Sequence, residues 1–189
     1  MRPCLVSFSN LFALTHLNIG KKLKMLKSTL NLINQIAPFE EVEAHCDIPC
    51  GIYDPHHALV ACLTAIRMTD LIVAHKNEKS SVEWLNEVSR YVAEKEKHAE
   101  IVKHEIRVIW GDFYKAPQFE KYPNLHELTH SIMLLGSKVR QEVNKDAALQ
   151  LLAKLNEFAE IFWEIKGVET YRATSPYKPE LEVVYPKLG

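Results

Sequence analysis

Acidic residues are missing from the start of this 189-residue chain. No Asp or Glu occurs before Glu40, while Arg2, Lys21, Lys22, Lys24 and Lys27 are basic. An acid-free start containing Ser and Lys is the compositional mark of a leader or transit segment. Its apolar part, "CLVSFSNLFAL", matches a secretory h-region only weakly, and Met25 opens "MLKSTLNLINQIAPFEEVEA" as a second start. Residues 1–24 are therefore read as a targeting extension or an unused upstream start, at the head of a leader that spans residues 1–44 if it ends at Ala44. The cytoplasm is the expected location. A plastid or mitochondrion is the alternative if residues 1–24 are a transit segment. Removing the leader's five positive and three negative charges takes the formal net charge from −1 to −3.

Other absences narrow the function. No apolar run approaches the ~20 residues of a bilayer span, so no membrane partner is expected. Lys and Arg are scattered among acids rather than clustered, which argues against a nucleic-acid surface. Four cysteines, Cys4, Cys46, Cys50 and Cys62, are too few for a disulfide framework in a chain of this length and suit a reducing compartment. There is no internal repeat and no run of alternating strands.

What is present is helical periodicity, continuous from Pro55. Asp54-Pro55 reads as an N-cap followed by a proline at the first helical position. Leu59, Leu63, Ile66 and Val73 line one face of a helix to about Lys76. "SSVE" offers a capping box from Ser80 to Glu83. Leu85, Val88, Val92, Ala99, Val102, Ile106 and Ile109 follow in steps of three and four, with a polar gap near Lys95 and Glu96, to about Gly111. "FYKAPQFEKYP" reads as a loop. Asn124 and Glu127 suggest a third helix start, with Leu125, Leu128, Ile132, Leu135 and Val139 as its stripe. After a break at 144–146, Leu149, Leu152, Leu155, Ala159 and Phe162 form the last stripe, closed by Gly167. The expected fold is all-α: an antiparallel four-helix bundle over residues 55–170. A Pro-rich tail over 171–189 would be disordered or packed on a neighbouring subunit.

Two patterns carry chemistry. The first, "HELTH", matches the HExxH of zinc proteases through His126, Glu127 and His130. Its context is poor, because no third histidine follows and no sheet is expected to build a cleft. Glu127 and His130 also make one Glu-x-x-His motif, but a di-iron bundle needs two. His98 and His104 read as surface or interhelical hydrogen-bonding groups, and His56 and His57 as neutral or hydrogen-bonded groups in a first helical turn. Cys62 reads as a small core residue.

The second pattern is "EVEAHCDIPCGIYDP". Cys-x-x-x-Cys alone is weak: a redox disulfide, half a zinc site, or nothing. The frame around it is more specific. Pro49 fixes φ, Gly51 permits a positive φ beside Cys50, and a helix begins at once after Asp54. Together they read as a tight hook, residues 45–54, with two thiolates on a rigid helix start.

"HCDIPCGIYDP" resembles the metal hook of nickel-containing superoxide dismutase, whose pattern is H-C-D-x-P-C-G-x-Y-D-P. Every fixed position is present from His45 to Pro55. "IWGDFYKAPQFEKYP" and "IFWEIKG" are similar to further segments of that family, so the resemblance covers about residues 25–167. It implies that a leader-processing protease cuts between Ala44 and His45, and that the mature chain is a homohexamer of four-helix bundles acting on superoxide. It also implies a nickel ion held in a square plane by the His45 amine, the Cys46 backbone nitrogen and thiolate, and the Cys50 thiolate, with the His45 imidazole axial in the oxidised state. Tyr53 would order water or substrate, Asp47 would hold the hook, Ile48-Pro49 would be cis, and Lys115 would favour approach of the anion. The chain departs from the pattern at three places. Ala61 and His98 stand where a Glu and an Arg orient the imidazole, so His98 is the candidate substitute. Phe113 stands where a second tyrosine is expected, with Tyr114 adjacent. A zinc hydrolase built on "HELTH" and a non-catalytic helical interaction module with a Cys46–Cys50 disulfide are the alternatives.

Overall fold

A computed structural model describes residues 51–75 and 81–189 of the chain. The described part is mostly helical. Its elements are α1 (His56–Ala74), α2 (Val82–Val108), a π-helical turn (Ile109–Phe113), α3 (Ala116–Lys121), α4 (Leu125–Gln141), α5 (Lys145–Ile165), β1 (Thr170–Thr174) and β2 (Glu182–Pro186).

The start of α1 follows from Asp54, whose Oδ1 accepts the His56 amide at 2.7 Å. Leu59, Leu63 and Ile66 are buried as the periodicity predicts, and Cys62 is a fully buried free thiol. Val73 departs from the expected stripe and is exposed near the helix end. By length and composition α1 is apolar enough to cross a membrane, contrary to the expectation that no apolar run in the chain is long enough. In this fold its apolar face is packed against α2 and α5.

Helix α2 begins one residue later than "SSVE" suggests. Ser81 is the N-cap, and its Oγ accepts the Trp84 amide at 3.1 Å. Val102, Ile106 and Ala99 are buried, but Leu85 is exposed. The reason lies in the unequal lengths of the neighbours. Lys95 of α2 sits level with the end of α4, so the first turns of α2 project beyond their partner.

Lys95 also corrects the expected polar gap. It falls three residues after Val92 and four before Ala99, in register with the stripe, and its side chain is buried. Its Nζ donates to the carbonyls of Val139, Arg140 and Glu142 at 2.6, 2.8 and 3.0 Å. These carbonyls lie at the C-terminal end of α4, where a cation is favoured by the helix dipole. Burial pushes the Lys95 ammonium below its ordinary pKa, but only the protonated form supplies three donors.

The α2–α4 contact is close because residue 136 is glycine: a Cβ there would lie 2.8 Å from Lys103 Cγ. Leu125, Leu128, Ile132 and Val139 of α4 are buried. Asn124 precedes this helix without capping it through its side chain, contrary to the capping-box reading. Asn144 does cap α5, accepting the Ala147 amide at 2.9 Å. Leu151, Leu155, Phe158 and Phe162 bury the inner face of α5, which is followed, after its C-cap Lys166, by Gly167 with φ +72. Lys145 pairs with Asp70 at 2.6 Å, setting the start of α5 beside the end of α1. His57 pairs with Glu105 at 3.1 Å, setting the start of α1 beside the end of α2. Each of α1, α2, α4 and α5 thus has two helical neighbours among the four.

Two expectations fail outside these helices. The connection after α2 contains the short helix α3, whose first turn is entered through Lys115: its amide donates to Gln118 Oε1 at 3.0 Å. The C-terminal segment forms an antiparallel hairpin, Thr170 opposite Pro186 through Thr174 opposite Glu182. It packs on α5 of the same chain. Asn156 Oδ1 accepts the Val184 amide at 3.0 Å and its Nδ2 donates to the Glu182 carbonyl at 3.1 Å, while Val183 and Val184 are buried.

Candidate metal centre

The expected ligands His45, Cys46 and Cys50, with Asp47, Pro49 and the proposed cis bond Ile48–Pro49, lie outside the described residues. What the structure describes is the exit from the hook. Residues 51–54 form an irregular, largely exposed segment that leads into α1. Gly51 has φ +69, the left-handed conformation that a glycine beside Cys50 permits.

Tyr53 is half-buried and its ring lies 5.7 Å from that of Phe113, tilted by 49°. Phe113 arrives there because of the π-helical turn. The Tyr114 amide donates to the Ile109 carbonyl, five residues back, at 3.3 Å. This extra residue per turn re-aims the end of α2, a deformation frequent near functional sites. Phe113 then packs on Phe162 at 4.8 Å, while Tyr114 enters the core against Phe158 at 5.5 Å and Phe119 at 6.1 Å. Tyr114 does not stand in for the missing second tyrosine beside Tyr53: its ring is buried, and burial pushes its phenol well above the usual pKa. Its hydroxyl has no hydrogen-bond partner among the described residues.

Lys166 is not among the site residues expected from the sequence, although it lies in "IFWEIKG", one of the segments similar to the family. Its Nζ lies 3.4 Å from the Gly51 carbonyl and 4.9 Å from the centre of the Phe113 ring. Lys115 is exposed at the start of α3. His98 lies on α2, its Nδ1 2.8 Å from the Glu94 carbonyl and 3.4 Å from the Glu94 carboxylate. Its expected partner His45 lies outside the described residues. Ala61 is buried in α1.

Among the described residues, nothing joins "HELTH" in a metal site. Nδ1 of His126 accepts a hydrogen bond from Trp110 Nε1 at 3.1 Å, and its ring stacks on Phe119 at 4.1 Å. Glu127 and His130 are exposed. Among the described residues, no three His, Cys, Asp or Glu side chains converge in a manner able to hold a metal. The donors that suit a metal are those of "HCDIPC": two thiols, an imidazole and adjacent backbone nitrogen. Soft sulfur with nitrogen favours a late transition metal over a hard, oxygen-seeking ion, so the set fits nickel.

Fold and hook exit together define a helical protein that carries a sulfur- and nitrogen-rich segment immediately before its first core helix. Residues 40–166 match the family described as nickel-containing superoxide dismutase. The chain is 32% identical over 130 residues to "Superoxide dismutase [Ni]" of Streptomyces coelicolor, a match covering 69% of this chain and 94% of that protein. Identity and coverage are the same for the protein of that name from Streptomyces seoulensis. A native nickel superoxide dismutase structure is 30% identical with a TM-score of 0.57, covering 65% of this chain and 99% of the other. The oxidised-state structure gives 0.58 with the same identity and coverage. This chain belongs to the nickel-containing superoxide dismutase family. The hairpin lies beyond the matched residues.

Proposed function

We propose that the chain converts superoxide to dioxygen and hydrogen peroxide with nickel as cofactor, at a hook completed by cleavage between Ala44 and His45. The observation that carries this reading is the unbroken pattern His45–Pro55, which ends in the described left-handed Gly51 and the Asp54-capped start of α1. In an uncut chain the His45 nitrogen is an amide and a poor donor. Cleavage makes it an amine, so that His45 and Cys46 offer amine, imidazole, backbone nitrogen and thiolate, and Cys50 adds a second thiolate. Bound nickel supplies the Ni(II)/Ni(III) couple, through which one superoxide leaves as dioxygen and a second, with two protons, as hydrogen peroxide.

The protein's part is to donate ligands and hold them still. Tyr53, backed by Phe113, is assigned the ordering of water or superoxide at the hook. Asp47 and Pro49 are assigned its shape, His98 the orientation of the His45 imidazole, and Lys115 the attraction of the anion. The helix contacts support an antiparallel four-helix bundle behind the hook. Assembly as a homohexamer, a leader-processing protease and a cytoplasmic location belong to the same proposal. Import into a plastid or mitochondrion replaces the last if residues 1–24 act as a transit segment.

Expression from His45 with a free N-terminus tests the reading. Stoichiometric nickel and rapid superoxide decay are expected, and both should fall sharply when Ala44 is retained. Full activity with Ala44 attached sinks the amine-ligand mechanism. Zinc without nickel favours a hydrolase, and an oxidised Cys46–Cys50 pair without metal favours an interaction module.

A further inference from the structure

We propose that Lys166 is a positioning residue for the nickel hook, tying its exit to the end of α5 and setting a positive charge beside the loaded metal. The inference depends on the nickel reading above, because the segment it holds matters only if Cys50 is a ligand.

Three contacts converge on the Lys166 ammonium. It lies 3.4 Å from the carbonyl oxygen of Gly51, the residue directly after Cys50. It stands 4.9 Å from the centre of the Phe113 ring and 5.9 Å from that of Phe162. A cation over an aromatic face is attracted by the ring quadrupole. The two rings are 4.8 Å apart, so they form one platform rather than two alternatives. The lysine is the C-cap of α5, and its own amide donates to the Phe162 carbonyl at 3.1 Å. Its base is therefore fixed, and its charge sits at the negative end of a helix.

The segment it grips is otherwise exposed coil, which folding must order against its conformational entropy. Among the described residues, three separate contacts hold it. Lys166 takes the Gly51 carbonyl, Phe113 packs against Tyr53, and Asp54 accepts the His56 amide. Of these, only Lys166 acts on the residue adjoining a proposed ligand. Its charge has a second consequence. Two thiolates and a deprotonated backbone nitrogen around a dication leave the loaded hook with net negative charge, so a nearby ammonium offsets it. An ammonium also disfavours further electron loss, which ties Lys166 to the redox balance of the centre and not only to its shape.

The experiment uses the protein from His45, loaded with nickel, with Lys166→Met, Lys166→Gln and Lys166→Arg. Lys166 is exposed, so the variants should keep the helical circular dichroism of the parent. Release of nickel to a chelator should be about 10–100-fold faster in Lys166→Met and Lys166→Gln, the usual range for removing a group that orients a ligand. The electron paramagnetic resonance of the oxidised centre should change, and its reduction potential should fall. Lys166→Arg should restore most of each readout. If the unaltered protein takes up no nickel, the site reading falls and this inference with it. If it takes up nickel but Lys166→Met matches it in release rate, spectrum and potential, only the inference falls.

Discussion

The rings of Tyr53 and Phe113 meet at 5.7 Å, tilted by 49°, joining the residue three positions before α1 to the π-helical turn that follows α2. Phe113 also touches Phe162 and Tyr114, so it is the hub through which the hook exit meets the core.

Truncating that hub should cost stability. Phe113 is half-buried, so Phe113→Ala is expected to destabilise by about 2–3 kcal/mol, below the range for a fully buried phenylalanine. Chemical denaturation measures it. Tyr53→Phe keeps the ring contact with Phe113, and superoxide decay should slow. Unchanged decay in Tyr53→Phe would remove Tyr53 from the proposed site.

Lys95→Met should strip three hydrogen bonds from the end of α4 and leave buried carbonyls without a donor. A loss of about 2–3 kcal/mol is expected. Amide exchange should accelerate first in the last turn of α4. A variant as stable as the parent would mean that water replaces the ammonium.

Asn156→Ala should release the hairpin selectively. Both polar groups of the Asn156 side chain are bonded to β2, and the Val184 amide is buried. Hydrogen exchange at Val184 should rise by at least about tenfold, corresponding to about 1.4 kcal/mol, while exchange in α1 and α2 stays the same. Equal acceleration throughout would show that hairpin and helices open together.

Replacing His126 and His130 together by alanine should leave nickel content and superoxide decay unchanged. The stack on Phe119 is lost, so the melting midpoint should drop by the equivalent of about 0.5–1.5 kcal/mol. Loss of metal from this double variant would revive the zinc reading.

The helices were legible because apolar residues recur every three or four positions along them. The misreadings have separate physical causes. Lys95 carries a charge, and charge reads as surface until a helix end is found to receive it. Leu85 continues the stripe correctly, but the partner helix stops short of it. The hairpin was hidden because Val183 and Val184 are adjacent and both buried, so β2 lacks the alternation that marks a half-buried strand. The proposed ligands could be named from sequence because they lie within a few positions of one another. Lys166, far along the chain from Gly51, could not be connected to it by any local pattern.

The buried ammonium of Lys95 has an analytical use. All three of its protons point at carbonyl oxygens, so the amine has no free lone pair and no path to a reagent while α2 and α4 stay together. Amine acylation followed by mass spectrometry would therefore mark this lysine only in molecules whose helices have parted. One residue becomes an internal clock for the opening of one seam, separable from the contact between Tyr53 and Phe113 beyond the C-terminal end of α2.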